Sequence, residues 1–381
     1  MDQELTRQNQ LLQLIDLPEA KWAPVDLGEG KRVLVGMTLE QMTDFVAELG
    51  EPKFRAKQLF QWVYAKAVKS FDAMTNLPAS LRSKLVEHAV VAPLTEETRQ
   101  FDAESGTTKA LFRLLDGQKV ESVLMRHDYG NSVCVTTQVG CRMGCTFCAS
   151  TFGGLVRNLT AGEIVDQILM LQNELSEGQR VSSVVVMGSG EPLENYDQVV
   201  KAIRLMHEPD GLNIGYRHIT VSTSGVVPGM YALAEEGLPI TLALSLHAPN
   251  DQLRSQLMPV NRRFPLKDVL TAAIAYGEKT GRRVTYEYIL IGGVNDNPEQ
   301  AAELAALLRG HLSHVNLIPM NPVAERPEYG RPGRERVERF RALLEEAGVA
   351  ATVRREMGGD IDAACGQLRN RLARHRGASR S

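Results

Sequence analysis

Three cysteines in Cys141-Arg-Met-Gly-Cys145-Thr-Phe-Cys148 stand at steps of four and three. Thiolates so spaced form a ligand set for a metal cluster. Four protein ligands would close a 4Fe-4S cube. Three leave one iron with an open position, where a small molecule can bind and be reduced. The competing reading is a structural zinc site completed by a fourth ligand from elsewhere. Zinc sites usually present cysteines in pairs, and the five cysteines here offer no second pair. Gly140 and Gly144 beside the trio let the backbone wrap closely around a bulky group.

Further polar groups follow apolar runs. Gly188-Ser-Gly190-Glu191-Pro192 sets two glycines and an acid after Ser183–Met187, which suits close approach to a ligand amino group. The same residues also make a plain turn. Val221-Ser222-Thr-Ser-Gly225, Ser245-Leu246-His247-Ala-Pro-Asn250 and Ile318-Pro-Met-Asn321-Pro occupy equivalent places. Each on its own reads as a strand-end cap. The two remaining cysteines are Cys134, in a strand-like run, and Cys365, in Asp362-Ala-Ala-Cys365-Gly. A lone cysteine between small residues is ordinarily a core residue.

Positioning these groups falls to a regular alternation. Strands are expected at Val133–Thr137, Ser183–Met187, Ile219–Thr223, Ile240–Leu246, Val284–Ile291, Val315–Ile318 and Ala350–Arg354. Helical patterns lie between them, one opening on a capping box at Thr160 and Glu163, another running from Pro298 to Arg309. Repeated βα units predict a parallel sheet with right-handed crossovers, open or barrel-like, with its active residues at the carboxyl ends of the strands. A β-hairpin precedes them, Lys109 to Leu115 and Lys119 to Met125 around Asp116-Gly117. Residues 1 to about 100 read as helical, with helices at Lys53–Lys69 and Ala79–His88 interrupted by Asn76-Leu77-Pro78.

Bulk properties fit a soluble enzyme. The chain has 381 residues, 43% hydrophobic and 23% charged, with a net charge of −3. Its first ten residues hold no apolar signal core, and runs such as Ile240–Leu246 are too short for a bilayer. Few cysteines, clustered, favour a cytoplasmic location over a secreted disulfide framework. Positive charge collects in two places. Glu51–His88 holds Lys53, Arg55, Lys57, Lys66, Lys69, Arg82 and Lys84 against Glu51, Asp72 and Glu87, and Leu368–Ser381 holds five arginines and no acid. Both could contact phosphates, or be solvated faces.

The CxxxCxxC loop, with Phe147 before its last cysteine, resembles the radical S-adenosylmethionine (SAM) superfamily. Asp360-Ile-Asp-Ala-Ala-Cys365-Gly-Gln-Leu368, Cys134, Ser-Leu-His-Ala-Pro-Asn and Ser-Thr-Ser-Gly-Val-Val-Pro resemble its RlmN family, from about Glu51 to Leu368. That resemblance implies an α/β fold, a radical SAM partial (β/α)6 barrel with a small N-terminal helical domain and a β-hairpin linker. It divides the chain into an RNA-binding accessory domain at 1–100, a core with its hairpin at 101–350, and a segment at 351–381 carrying Cys365 and a basic tail. It implies a 4Fe-4S cluster on Cys141, Cys145 and Cys148, and SAM contacts from Gly190, Glu191, Ser222, Ser245, Leu246, His247 and Asn321. The implied reaction methylates carbon 2 of adenosine 2503 in 23S rRNA and adenosine 37 in tRNAs, consuming two SAM per turnover. Cys365 is methylated and then joined to RNA, Glu121 accepts the ring proton, and Cys134 resolves the adduct through a disulfide. The implied partners are 23S rRNA, tRNA and a reductant such as flavodoxin or ferredoxin, with the protein a monomer and no membrane involved. Ser189 and Met320 depart from the family's usual methionine and aromatic residue. A Cfr-like adenine-C8 methyltransferase and a non-catalytic RNA-binding protein with a structural metal are the alternatives.

Overall fold

A computed structural model describes residues 30–321 and 326–354; Cys365 and the basic tail lie outside the described residues. The N-terminal part opens with β1 (Arg32–Val33), which pairs in parallel with β2 (Ala89–Val90). Helices at Leu39–Glu48, Phe54–Phe60 and Ala79–His88 lie between these strands. Thr38 starts the first helix through a reciprocal capping box with Gln41.

The segment expected to be helical to about residue 100 instead ends in a strand, β3 (Thr95–Asp102). Its sequence, TEETRQFD, has no apolar periodicity because it forms an edge of the sheet, half exposed, where charged side chains are compatible with a strand. β3 pairs antiparallel with β4 (Thr107–Arg113), β4 with β5 (Lys119–His127), and β5 with β6 (Gly130–Cys134). The expected hairpin is thus the middle of a four-stranded meander. The run expected as a strand to Thr137 leaves the sheet after Cys134, and β7 (Gln138–Gly140) pairs with β8 (Leu155–Asn158) in a small separate sheet.

From β6 the sheet continues in parallel through β9 (Val181–Val186), β10 (Ile219–Thr223), β11 (Thr241–Ser245), β12 (Val284–Leu290), β13 (Ser313–Pro319) and β14 (Ala351–Val353). Helices connect these strands, and neighbours lie against one another: Ala161–Gln172 on Tyr196–His207, Val227–Glu235 on Leu266–Thr280, and Pro298–Leu308 on Arg334–Glu346. This is the α/β architecture of βα units that the alternation implied, a partial rather than closed barrel, with β3 and β14 as its two edges. Thr160 caps its helix through the expected side-chain exchange with Glu163, and Asn297 makes the same exchange with Gln300, which the sequence reading did not single out.

Strand register separates two faces. Val184, Val186, Val221, Leu242, Leu244, Tyr286, Val315 and Leu317 alternate into the main apolar core. On the other face the register aligns Val123, Cys134 and Val185, then Ser222 with Ala243, and Ser245 with Glu287 and Asn316. Because side chains alternate along a strand, Glu121 shares the face of Val123.

Gln167, wholly buried, fixes where the chain departs from β6. Its Oε1 accepts from Ser122 Oγ (2.6 Å) and Thr136 N (2.8 Å), while Nε2 donates to Thr136 O and Glu163 O (both 2.9 Å). Gln167→Leu orphans both backbone groups of Thr136. The variant should lose about 2–4 kcal/mol in chemical denaturation; a loss no larger than a surface substitution's would show that this amide is dispensable.

Candidate functional site

The carboxyl ends of the parallel strands surround a cavity of about 140 Å³. Cys141, Cys145 and Cys148 form one wall, from the loop after β7. Opposite them are Gly190 and Glu191 after β9, Ser222 and Ser224 at the end of β10, and Ser245 and His247 at the end of β11. Of the other residues singled out in the sequence, Leu246 is buried in the main core and Asn321 is half-buried just past β13, outside the cavity lining. Cys134 is half-buried on β6.

The cysteine loop is closed tightly on itself. Gly140 has φ +81, and a Cβ there would lie 1.9 Å from Gly154 O, the acceptor of Cys141 N. Glycine is therefore required by the loop's own closure. Thr146 N donates to Leu257 O at 2.9 Å and Thr151 Oγ1 to Cys148 O at 2.9 Å. Burial pushes the Cys141 thiol up to about 12 and Cys145 well above its ordinary range, with neighbouring negative charge acting in the same direction. Such sulfurs become thiolates only when a strong local cation repays their desolvation. The three therefore suit a metal cluster. Among the described residues no three Cys, His, Asp or Glu side chains form a single-ion site, as a lone zinc requires. A cube instead spreads its ligands over separate irons.

Glu191 is buried, and burial raises its pKa against four donors. One carboxylate oxygen accepts from Leu193 N (3.0 Å) and Thr223 Oγ1 (2.8 Å), the other from Ser224 N (2.7 Å) and Ser224 Oγ (2.8 Å). The acid thus ties the loop after β9 to the end of β10. Gly190, at φ +108, allows that loop to press on Gln138, whose Cβ would stand 2.7 Å from an added Cβ. Gln138 Oε1 in turn accepts from Glu191 N at 2.8 Å. Ser189 bonds Ser150 of the cysteine loop, Oγ to Oγ at 2.9 Å, and Met320 is buried beside Cys145 in a small apolar cluster. The two departures from the family pattern are thus both accommodated by packing.

Ser222 and Ser245 meet across adjacent strands with their hydroxyl oxygens 3.3 Å apart. His247 is held at φ +60, a left-handed conformation uncommon for a residue with a side chain. Its Nδ1 accepts from Ile289 N at 3.0 Å, which places the ring proton of a neutral imidazole on Nε2. Phe147 presents a perpendicular ring at 5.0 Å, and Asn295 Nδ2 holds the His247 carbonyl at 2.9 Å. Burial, reinforced by Arg254, pulls His247 down to about 3.

Three participants were not visible in the sequence. Lys109 Nζ pairs with Glu121 Oε2 at 3.0 Å, both side chains buried, across the antiparallel meander. Asn295 and Arg254 brace the loops that carry the serines and His247. Only the hairpin register could have hinted at the first pair; nothing local marks the other two.

Residues 33–91 match a model of the ribosomal RNA large subunit methyltransferase N-terminal domain, and residues 135–305 match the radical SAM superfamily. A protein of Symbiobacterium thermophilum described as a probable dual-specificity RNA methyltransferase RlmN is 73% identical over 345 residues, 91% of this chain and 93% of its own. A protein of the same description from Desulforamulus reducens is 57% identical over 331 residues, 87% of this chain and 94% of its own. The crystal structure of a radical SAM methyltransferase from Sphaerobacter thermophilus superposes with a TM-score of 0.86 at 48% identity, covering 88% of this chain and 98% of that one.

His247 makes the site sensitive to acid. Its folded pKa of about 3 lies below the ordinary 6.5, so the unfolded chain binds a proton that the folded one refuses. The stability it contributes is complete above pH 6.5 and declines as the pH falls toward 3. Urea unfolding of the wild type should lose up to about 1.4 kcal/mol per pH unit in that window. His247→Gln should show a flatter profile, and parallel profiles would contradict the buried neutral state.

Proposed function

Because this chain belongs to the RlmN family of radical SAM methyltransferases, we propose that it methylates carbon 2 of adenine in ribosomal and transfer RNA. Family membership brings a 4Fe-4S cluster and SAM as cofactors. Cys141, Cys145 and Cys148 are the residues that would hold the cluster, with Gly190, Glu191, Ser222, Ser245, Leu246, His247 and Asn321 around SAM. When bound, the cluster supplies the electron that splits SAM into methionine and a 5′-deoxyadenosyl radical.

The protein's own groups then account for the rest. Carbon 2 of adenine is electron-poor and has no lone pair, so it cannot take a methyl cation directly. Cys365 thiolate can, becoming S-methylcysteine. After loss of one hydrogen atom the methyl carbon bonds to carbon 2, joining RNA to Cys365. Glu121 removes the ring proton as the adduct gives its unpaired electron back to the cluster, leaving a closed-shell thioether between RNA and Cys365. Cys134 attacks the Cys365 sulfur, the released methylene carbon takes up a proton to become the methyl of methyladenosine, and the resulting disulfide is reopened by a thiol reductant.

The observation that carries this reading is the alternation of the sheet: Glu121 and Cys134 share the face that also bears Ser222 and Ser245, both in the cavity lining. Glu191 serves as a brace as well as a neighbour for the SAM amino group, since its oxygens are committed to Leu193, Thr223 and Ser224. His247 offers a neutral N–H donor. We assign residues 1–100 to RNA binding through the first basic patch, 101–350 to the reaction core, and 351–381 to the methyl carrier and a second basic segment. RNA bases reach such a site by flipping out of their stack, held by phosphate contacts. A flavodoxin or ferredoxin fits as reductant and a monomer as the working unit. No helix among the described residues is long and apolar enough to cross a membrane, and ribosomal and transfer RNA as substrates support a cytoplasmic location.

Cys134→Ala should accumulate a covalent protein–RNA adduct, whereas Cys365→Ala should form none. Normal turnover by Cys134→Ala would remove its resolving role. Mass spectrometry of treated rRNA should find 2-methyladenosine; 8-methyladenosine would assign the chain to the Cfr-like chemistry instead. Anaerobically reconstituted protein should bind iron and cleave SAM with dithionite, and uptake of zinc without SAM cleavage would defeat the catalytic reading.

A further inference from the structure

Arg254 brings a full charge into a dry part of the molecule. It lies in the helix Asp251–Leu257 with 0% of its surface exposed. Nε donates to Leu246 O at 3.2 Å and Nη1 to Asn261 Oδ1 at 2.8 Å, while Nη2 donates to Ser224 O at 2.7 Å and Ser245 O at 3.3 Å. Every one of these acceptors is neutral. A buried cation bonded only to neutral groups is costly, and removing an ionic partner from such a charge costs several kcal/mol, about 3–5. Asp251 of the same helix acts on it from beyond Asn261, whose Nδ2 donates to Asp251 Oδ1 at 2.8 Å, and a further anion is expected close by.

The surroundings say where. Ser224 and Ser245, whose carbonyls hold the guanidinium, both line the cavity of the three thiols. Leu257 and Met258, at the end of the same helix, are packed with Cys145. Burial lowers the guanidinium only to about 10, which leaves it charged at neutral pH.

We propose that Arg254 is a positioning residue for charge: it offsets the negative charge of the thiolate-bound cluster and raises the potential at which that centre accepts an electron. The inference rests on the radical SAM reading and goes beyond it. Three thiolates leave the oxidised centre net negative, and one electron from an external low-potential donor makes it more so. A fixed cation behind Cys145 stabilises the reduced form more than the oxidised one.

The test is a dithionite titration of anaerobically reconstituted full-length protein, with the reduced centre read by electron paramagnetic resonance. Arg254→Met should move the midpoint to more negative potential by about 59 mV or more, a tenfold fall in the reduced-to-oxidised ratio at fixed potential. Arg254→Lys should stay near the wild type. An unchanged midpoint in Arg254→Met overturns the inference. If Arg254→Met holds no cluster, Arg254→Gln takes its place, read the same way. Should both neutral variants fail to load iron while Arg254→Lys loads it, the charge is what the centre requires, in support. Failure of Arg254→Lys alongside them makes the hydrogen bonds the essential feature and sinks the proposal. A wild type that binds no iron defeats the family reading instead, a separate outcome.

Discussion

Desolvation governs this molecule's working end. The strand termini gather two thiols with strongly raised pKa values, a buried carboxylate, a neutral histidine and an arginine with no exposed surface. None of these groups is cheap to bury. The carboxylate is compensated bond by bond, and its bonds, like those of the arginine, also connect one loop to the next. Electrostatic compensation and loop placement are therefore one set of contacts. The thiols are the exception, since only a metal can repay them.

A division of labour between the sheet's faces follows. Apolar residues alternate toward the main core, where neighbouring helices lie side by side. The opposite face carries hydroxyl, thiol and carboxyl groups that would be unwelcome in that core. A one-residue slip in any strand would exchange the two sets. The site's composition is thus protected by the same register that stabilises the fold.

The parallel half was legible because its strands are buried runs separated by capped helices, and both signals are local. Thr160 with Glu163 and the run Val284–Ile291 could be read directly. β3 could not, because an edge strand half in water needs no apolar pattern. The cysteine trio declared itself by spacing, but Gly140 and Gly190 were read as room for a ligand when their nearest constraints are Gly154 O and Gln138. Nothing local marks Lys109 or Arg254 as buried; their burial depends on pairings that join distant segments, which no window of sequence contains.

Among the described residues the sheet's two outermost strands, β3 and β14, are nine positions apart in an order that does not close. A closed cylinder fixes its girth, since widening it must break a ladder of backbone bonds. Here no backbone ladder joins β3 to β14, so the spacing between these two edges is set by side-chain packing and strand twist and not by hydrogen bonds across a seam.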